Sequence, residues 1–145
     1  VTESASILIY LADLYPGAGL APPAGSPLRP RYLRWMIFLA TTIYMSDLRM
    51  YYPQRYTDDP AGAEAVKRQA IAGMACEFEI FAAALGAGPY ILGETFSAVD
   101  IYAAMLASWA DNVPALFARH PNIKALYDRV TARPRIAKVW ARNET

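Results

Sequence analysis

Apolar residues recur at intervals of three and four along most of this chain, and each run stops at a proline, a glycine or a capping residue. Residues 3–15 place Ile7, Leu8, Leu11, Leu14 and Tyr15 on one face of a helix that Pro16-Gly17 ends. Residues 16–30 hold five prolines among glycine and alanine and read as a connection. Ser26-Pro27 then supplies an N-cap with proline at the first helical position. A long helix is expected from about Leu28 to Tyr52, with Leu33, Ile37, Ala40, Tyr44, Leu48 and Tyr51 as its stripe. Trp35, Phe38 and Leu39 widen that stripe, and Pro53 closes the helix. Asp58-Asp59-Pro60 opens the next one, which carries Ile71, Met74, Phe78, Phe81 and Leu85 inward until Gly86 and Gly88. On it Glu64 and Arg68 have the i, i+4 spacing of an exposed ion pair.

The strongest local signal is Pro89-Tyr90-Ile91-Leu92-Gly93-Glu94-Thr95-Phe96-Ser97-Ala98-Val99-Asp100-Ile101-Tyr102. It predicts an extended apolar approach, a glycine turn and a helix start. Ser97 is an N-cap whose hydroxyl can accept from the Asp100 amide, and Asp100 can reach back to the Ser97 amide, completing a capping box. Phe96 and Ile101 occupy the two positions of a hydrophobic staple. No charge follows from Ile101 to Ala110, so this helix is expected to be buried on all sides. Removing Ser97 or Asp100 is expected to cost about 1–3 kcal/mol, combining cap loss with an unsatisfied amide. The role of this patch is structural.

Asp111-Asn112-Val113-Pro114 opens a short helical turn up to Arg119. Pro121-Asn122 begins a helix with Ile123, Leu126, Tyr127 and Val130 inward, and Arg133-Pro134 separates it from a last helix with Ile136, Val139 and Trp140. No segment alternates with period two. The chain reads as all-α, with its two long helices paired as an antiparallel hairpin beside the capped helix.

A length of 145 residues suits one core. With 14 basic against 13 acidic residues, the charge gives no pull toward nucleic acid or anionic lipid. The charge-free stretch between Arg34 and Asp47 is well short of the roughly 20 residues a membrane span needs. A single cysteine excludes an internal disulfide and suits a reducing, cytoplasmic compartment. Set among Met74, Ala75 and Phe78, Cys76 is expected to be a small inert core residue. His120, just before Pro121, is expected to end a helix and complement its dipole. One His and one Cys offer no metal site.

Several patches, taken in order, resemble the cytosolic glutathione transferases of bacterial type. Tyr90-Ile-Leu-Gly with the Phe96–Asp100 cap resembles the core helix of their all-α C-terminal domain, with Val99 where alanine is usual. Glu3-Ser4, Ile7-Leu8, Tyr10-Leu11 and Tyr15-Pro16, followed by Leu20 and Pro22, look like the last helix of their thioredoxin-like domain and the linker after it. Pro121-Asn122-Ile123 and Arg133-Pro134 resemble the closing helices. The resemblance divides the chain into the end of a truncated thioredoxin-like domain (1–15), a linker (16–27) and the helical C-terminal domain (28–145). A first residue that is not methionine, opening directly onto a helix, fits an excised or incomplete chain.

A helix N-terminus with free amides binds anions. The Ser4 hydroxyl can add a hydrogen bond to a carboxylate there, and Glu3 can take an ammonium group. The resemblance implies that this pair grips the γ-glutamyl end of glutathione, the co-substrate. It also implies that Tyr44, Asp47, Arg49 and Tyr51 line the pocket for a small electrophile, and that the protein is a homodimer. The reaction implied is attack of the glutathione thiolate on an electrophilic carbon. The family ionises that thiol with a Tyr, Ser or Cys early in the thioredoxin-like domain, so no residue of this chain is expected to be catalytic. A different reading is a non-catalytic interaction or dimerisation module on the same fold.

Overall fold

The computed structural model describes residues 1–143, and among them the chain forms eight α-helices and no strand beyond two isolated bridges. They are α1 (Ser4–Leu14), α2 (Arg29–Phe38), α3 (Tyr44–Tyr51), α4 (Ala63–Leu85), α5 (Ala98–Ala107), α6 (Val113–Arg119), α7 (Pro121–Thr131) and α8 (Pro134–Trp140). Side chains set several of the starts. Asp59 Oδ1 accepts from the Ala61 amide at 2.9 Å just ahead of α4, and Asn112 Oδ1 accepts from the Ala115 amide at 3.0 Å at the start of α6.

Helices α2 and α3 are one rod joined through a wider π turn at Leu39–Ile43. Thr41 sits in that turn and donates its hydroxyl to the Ile37 carbonyl at 2.9 Å, a competitor to the regular backbone ladder. The rod runs antiparallel to α4. Arg31 donates to the Ala84 carbonyl at 3.2 Å, and further along Ser46 donates to Glu77 Oε1 at 2.9 Å. Trp35 meets Phe81 edge-on across this seam, with ring centroids 5.4 Å apart.

The rod's inward face differs from the expected one. Tyr32, Trp35, Met36, Leu39, Ile43 and Met50 fill the core, with Ser46 and Asp47 buried among them, while Ile37 and Tyr51 are exposed. Two adjacent rows of this helix are apolar. Buried polar residues at 46 and 47 hide which row packs inward.

On α1 four of the five expected residues are also turned away, and Leu8 alone of them packs inward. Ala5 and Ala12 are buried and Leu8 and Ile9 pack on the core, whereas Ile7, Leu11, Leu14 and Tyr15 are 38, 43, 50 and 61% exposed. Small residues let α1 approach α5 closely, so the larger side chains face outward. Arg29 fastens the far end of α1 with paired bonds to Asp13 at 2.7 and 2.8 Å, and it also donates to the Pro22 carbonyl at 3.0 Å. That bond is the largest cause of a lowered Asp13 pKa, so the pair stays charged.

Three smaller expectations are corrected. Cys76 is exposed, because Met74 and Phe78 define the inward face of α4 and residue 76 lies between them on the outside. His120 does cap α6, but burial and the neighbouring Arg119 push its pKa down, so a neutral ring adds no charge to the dipole. Glu64 and Arg68 make no ion pair; the i, i+4 pair among the described residues is Lys124–Asp128 at 2.6 Å. On α8, whose facing the sequence reading left open, Val139 is exposed while Ile136 and Trp140 pack inward.

Helix α5 sits at the centre, with Val99, Tyr102, Ala103, Leu106 and Ala107 buried and Ile101 and Met105 half-buried. Tyr90 and Gly93 exchange backbone bonds of 3.1 and 3.0 Å, and Gly93 at φ 78° turns the chain toward the helix start. The capping box forms with its weight on the carboxylate side. Asp100 Oδ2 accepts from the Ser97 amide at 2.8 Å and the Ser97 hydroxyl at 3.2 Å, while Oδ1 accepts from the Ile91 amide at 2.9 Å. The Ala98 amide donates to the Leu20 carbonyl at 2.8 Å, so the connection after α1 also caps α5. Phe96 and Ile101 pack half-buried against the core, Phe96 between the Tyr90 ring and the Arg133 guanidinium.

Candidate functional site

Glu3 is the one non-glycine residue with positive φ among the described residues, at φ 64° and ψ 118°. Such a backbone costs about 1–3 kcal/mol and persists where surrounding structure imposes it, often at ligand sites. It turns the chain sharply into α1, and no side chain caps that helix. The amides of the first turn therefore stay open beside the Ser4 hydroxyl and the Glu3 carboxylate. An anion acceptor and an ammonium acceptor next to each other suit a free α-amino acid end.

Ser4 Oγ lies 2.8 Å from the hydroxyl of Tyr102, which is 2% exposed on α5. Burial raises the Tyr102 pKa, the bond to Ser4 opposes that, and the nearby Tyr44, Asp47 and Glu3 raise it further. Tyr102 thus stands between the start of α1 and the second group of expected residues, on α3.

In that group Tyr44, Asp47 and Tyr51 come together with Leu48, Tyr52 and Trp109 around a cavity of ≈370 Å³. The Tyr44 and Trp109 rings are tilted, with centroids 6.0 Å apart, and the Tyr51 hydroxyl donates to the Trp109 carbonyl at 2.8 Å. These rings make an aromatic wall that suits a planar apolar ligand. Asp47 is 1% exposed, and neither carboxylate oxygen has a hydrogen-bond partner. Burial, with the nearby Glu77 adding to it, pushes its pKa up to about 7.

Arg49 does not join them. Two residues along a helix is more than half a turn, and Arg49 lines a separate hollow with Ser46, Tyr56 and Glu77, its guanidinium 5.6 Å from the Tyr56 ring centre. Sequence reasoning missed Trp109 and Tyr102. Both fall in or beside the charge-free run after Asp100, where an aromatic residue reads as core. Trp109 is in fact exposed, just past the end of α5.

Among the described residues no three His, Cys, Asp or Glu side chains gather as metal ligands would, and no helix is long and apolar enough to cross a membrane.

Comparison with known proteins identifies the family and the fold. Residues 46–143 match the glutathione S-transferase C-terminal domain. The uncharacterised GST-like protein YncG of Escherichia coli K12 is 29% identical over 144 residues, which are 99% of this chain and 68% of that protein. Glutathione S-transferase GstA of Escherichia coli O157:H7 is 26% identical over 136 residues, 94% of this chain and 64% of that one. A glutathione transferase homologue from Sulfitobacter, solved with bound glutathione, superposes with a TM-score of 0.87 at 26% identity, covering 100% of this chain and 69% of that one. With a capped central helix, a long antiparallel pair and a domain match over most of its length, the chain belongs to the glutathione S-transferase family and carries that family's all-α C-terminal domain.

Proposed function

We propose that this chain serves a glutathione transferase, holding part of the glutathione site and one wall of the pocket for an electrophilic co-substrate. Residues 1–15 act as the last helix of a thioredoxin-like domain, residues 16–27 as a linker, and the intact protein works as a cytoplasmic homodimer. Glu3 takes the α-ammonium of glutathione, and Ser4 with the open amides of α1 takes the adjacent carboxylate. Tyr44, Asp47, Tyr51 and Trp109 face the electrophile. In the reaction the glutathione thiolate forms a carbon–sulfur bond, and the electrophile either loses a leaving group or accepts a proton. The group that keeps the thiol ionised belongs to the thioredoxin-like domain.

The observation that carries this reading is the strained, uncapped start of α1 at Glu3 and Ser4, close to an aromatic cleft. Each charge-assisted bond contributes about 1.5–3 kcal/mol, or roughly 10–100-fold in affinity. Glu3→Ala with Ser4→Ala in the full-length protein is therefore expected to abolish retention on glutathione-agarose while the protein still unfolds cooperatively, destabilised by no more than about 1–3 kcal/mol from the lost Ser4–Tyr102 bond. Undiminished retention of the double variant would remove Glu3 and Ser4 from the site.

A further inference from the structure

We infer that Tyr102 is a positioning residue for glutathione: its buried phenol donates to Ser4 Oγ and leaves the Ser4 hydroxyl proton free to point at the γ-glutamyl carboxylate. The inference rests on Glu3 and Ser4 being the glutathione site, and it assigns a role to a helix so far given only a structural one.

The direction of the bond follows from burial. A serine hydroxyl has one proton and two lone pairs, and a phenol has one proton to place. Tyr102 is 2% exposed, and Ser4 Oγ is its hydrogen-bond partner at 2.8 Å. Asp47 is near, yet its carboxylate oxygens have no partner, so the phenol proton does not go there. Were Ser4 the donor, the phenol proton would be buried without an acceptor, a state that costs far more than leaving an exposed serine proton to water. Tyr102 is therefore the donor. Its raised pKa keeps it protonated, and so able to donate, throughout the neutral range.

The geometry also explains why the bond is worth having. Ser4 is exposed and is the first residue of α1, where its side chain would otherwise divide among three staggered rotamers. The phenol selects one of them. Tyr102 is itself held in place, two residues after Asp100 on a helix whose start is fixed by the Ile91 and Ser97 amides and the Leu20 carbonyl. A hydroxyl that donates more readily once it accepts gains further strength toward a carboxylate.

The test measures glutathione affinity by calorimetry in the full-length protein, for the parent, Tyr102→Phe, Ser4→Ala and the double variant, with a thermal melt for each. Tyr102→Phe is expected to weaken binding about 3- to 10-fold, the size of losing one rotamer choice and one cooperative bond. Adding Tyr102→Phe to Ser4→Ala is expected to change nothing further, because Tyr102 acts through Ser4. A ligand amidated at the γ-glutamyl carboxylate should bind the parent and Tyr102→Phe equally. If Tyr102→Phe does not fold, Tyr102→Met carries the same comparison. Parent-like affinity in the Tyr102 variant, or losses that multiply in the double variant, overturns the inference alone when Ser4→Ala is weakened. A parent protein with no affinity for glutathione overturns both the inference and the site beneath it.

Discussion

Asp100→Ala lowers the unfolding free energy by about 3–5 kcal/mol, the largest loss expected from any single side chain outside the apolar core. The carboxylate is fully buried and accepts from two backbone amides, Ile91 at 2.9 Å and Ser97 at 2.8 Å, and from the Ser97 hydroxyl. Alanine leaves both amides buried and unpaired at about 1–3 kcal/mol each, and it removes the cap. This exceeds the 1–3 kcal/mol expected of a capping box, because the Ile91 bond ties the preceding turn to the same carboxylate. Burial pushes the Asp100 pKa up to about 6 against the donors that favour its charged form, so the group is ionised and accepting at neutral pH at a cost of roughly 3 kcal/mol, which keeps the net loss below the sum of the two amides and the cap. Asp100→Asn keeps one acceptor and presents an NH₂ to the other amide, so it should fall between parent and alanine. Urea denaturation with an unchanged m-value is the measurement. A loss below 1 kcal/mol for the alanine variant would mean that the surrounding packing, not the carboxylate, fixes the helix start.

Asp47→Asn is expected to do the opposite and stabilise the fold by about 2–4 kcal/mol at pH 8. Its folded pKa of about 7 lies above the ordinary value of 3.8. The folded state therefore holds a proton that the unfolded chain has already released, and stability falls as pH rises from about 4 to about 7. The shift corresponds to roughly 4 kcal/mol at most, since one pKa unit is about 1.36 kcal/mol. Asparagine cannot ionise, so the variant's advantage over the parent should be near zero at pH 4 and complete by pH 8. Taking the difference between the two proteins removes the contribution of Asp100, whose pKa is also raised, and leaves Asp47 together with its coupling to Glu77. A variant no more stable than its parent at pH 8 would show that Asp47 has a partner that keeps its charge comfortable. A buried, unpaired carboxylate beside an aromatic cavity is the kind of cost that proteins keep at binding sites.

Most helix ends were legible because punctuation is local: Pro16-Gly17, Pro53, Gly86, Pro121 and Pro134 act on their own neighbours, whereas the π turn that divides the rod at Leu39–Ile43 carries no such mark. The Ser97–Asp100 cap was legible for the same reason. Orientation was not. The row Leu33, Ile37, Tyr44, Leu48 and Tyr51 is apolar enough to read as core, yet three of its members, Tyr44, Leu48 and Tyr51, line the cavity. The true inward row is interrupted by Ser46 and Asp47, which no rule of periodicity assigns to an interior. The large apolar residues of α1 misled in the same way, because Ala5 and Ala12 win the close contact by being small. Tyr102 and Trp109 escaped notice because their roles depend on partners 98 and 58 residues away in sequence.

That distance between Ser4 and Tyr102 also orders the chain in time. Helix α1 leaves the ribosome well before the segment that secures its start, since Tyr102 emerges 98 residues after Ser4 and the Ala98 amide 78 residues after the Leu20 carbonyl. Until then Ala5, Leu8 and Ile9 lack the core they pack on, and closing so long a loop must precede any reward from the contact. The helix that starts the ligand site is thus set by a segment made long after it, and a chain interrupted before residue 98 would carry α1 fastened by Arg29 at its far end but with its start unsecured.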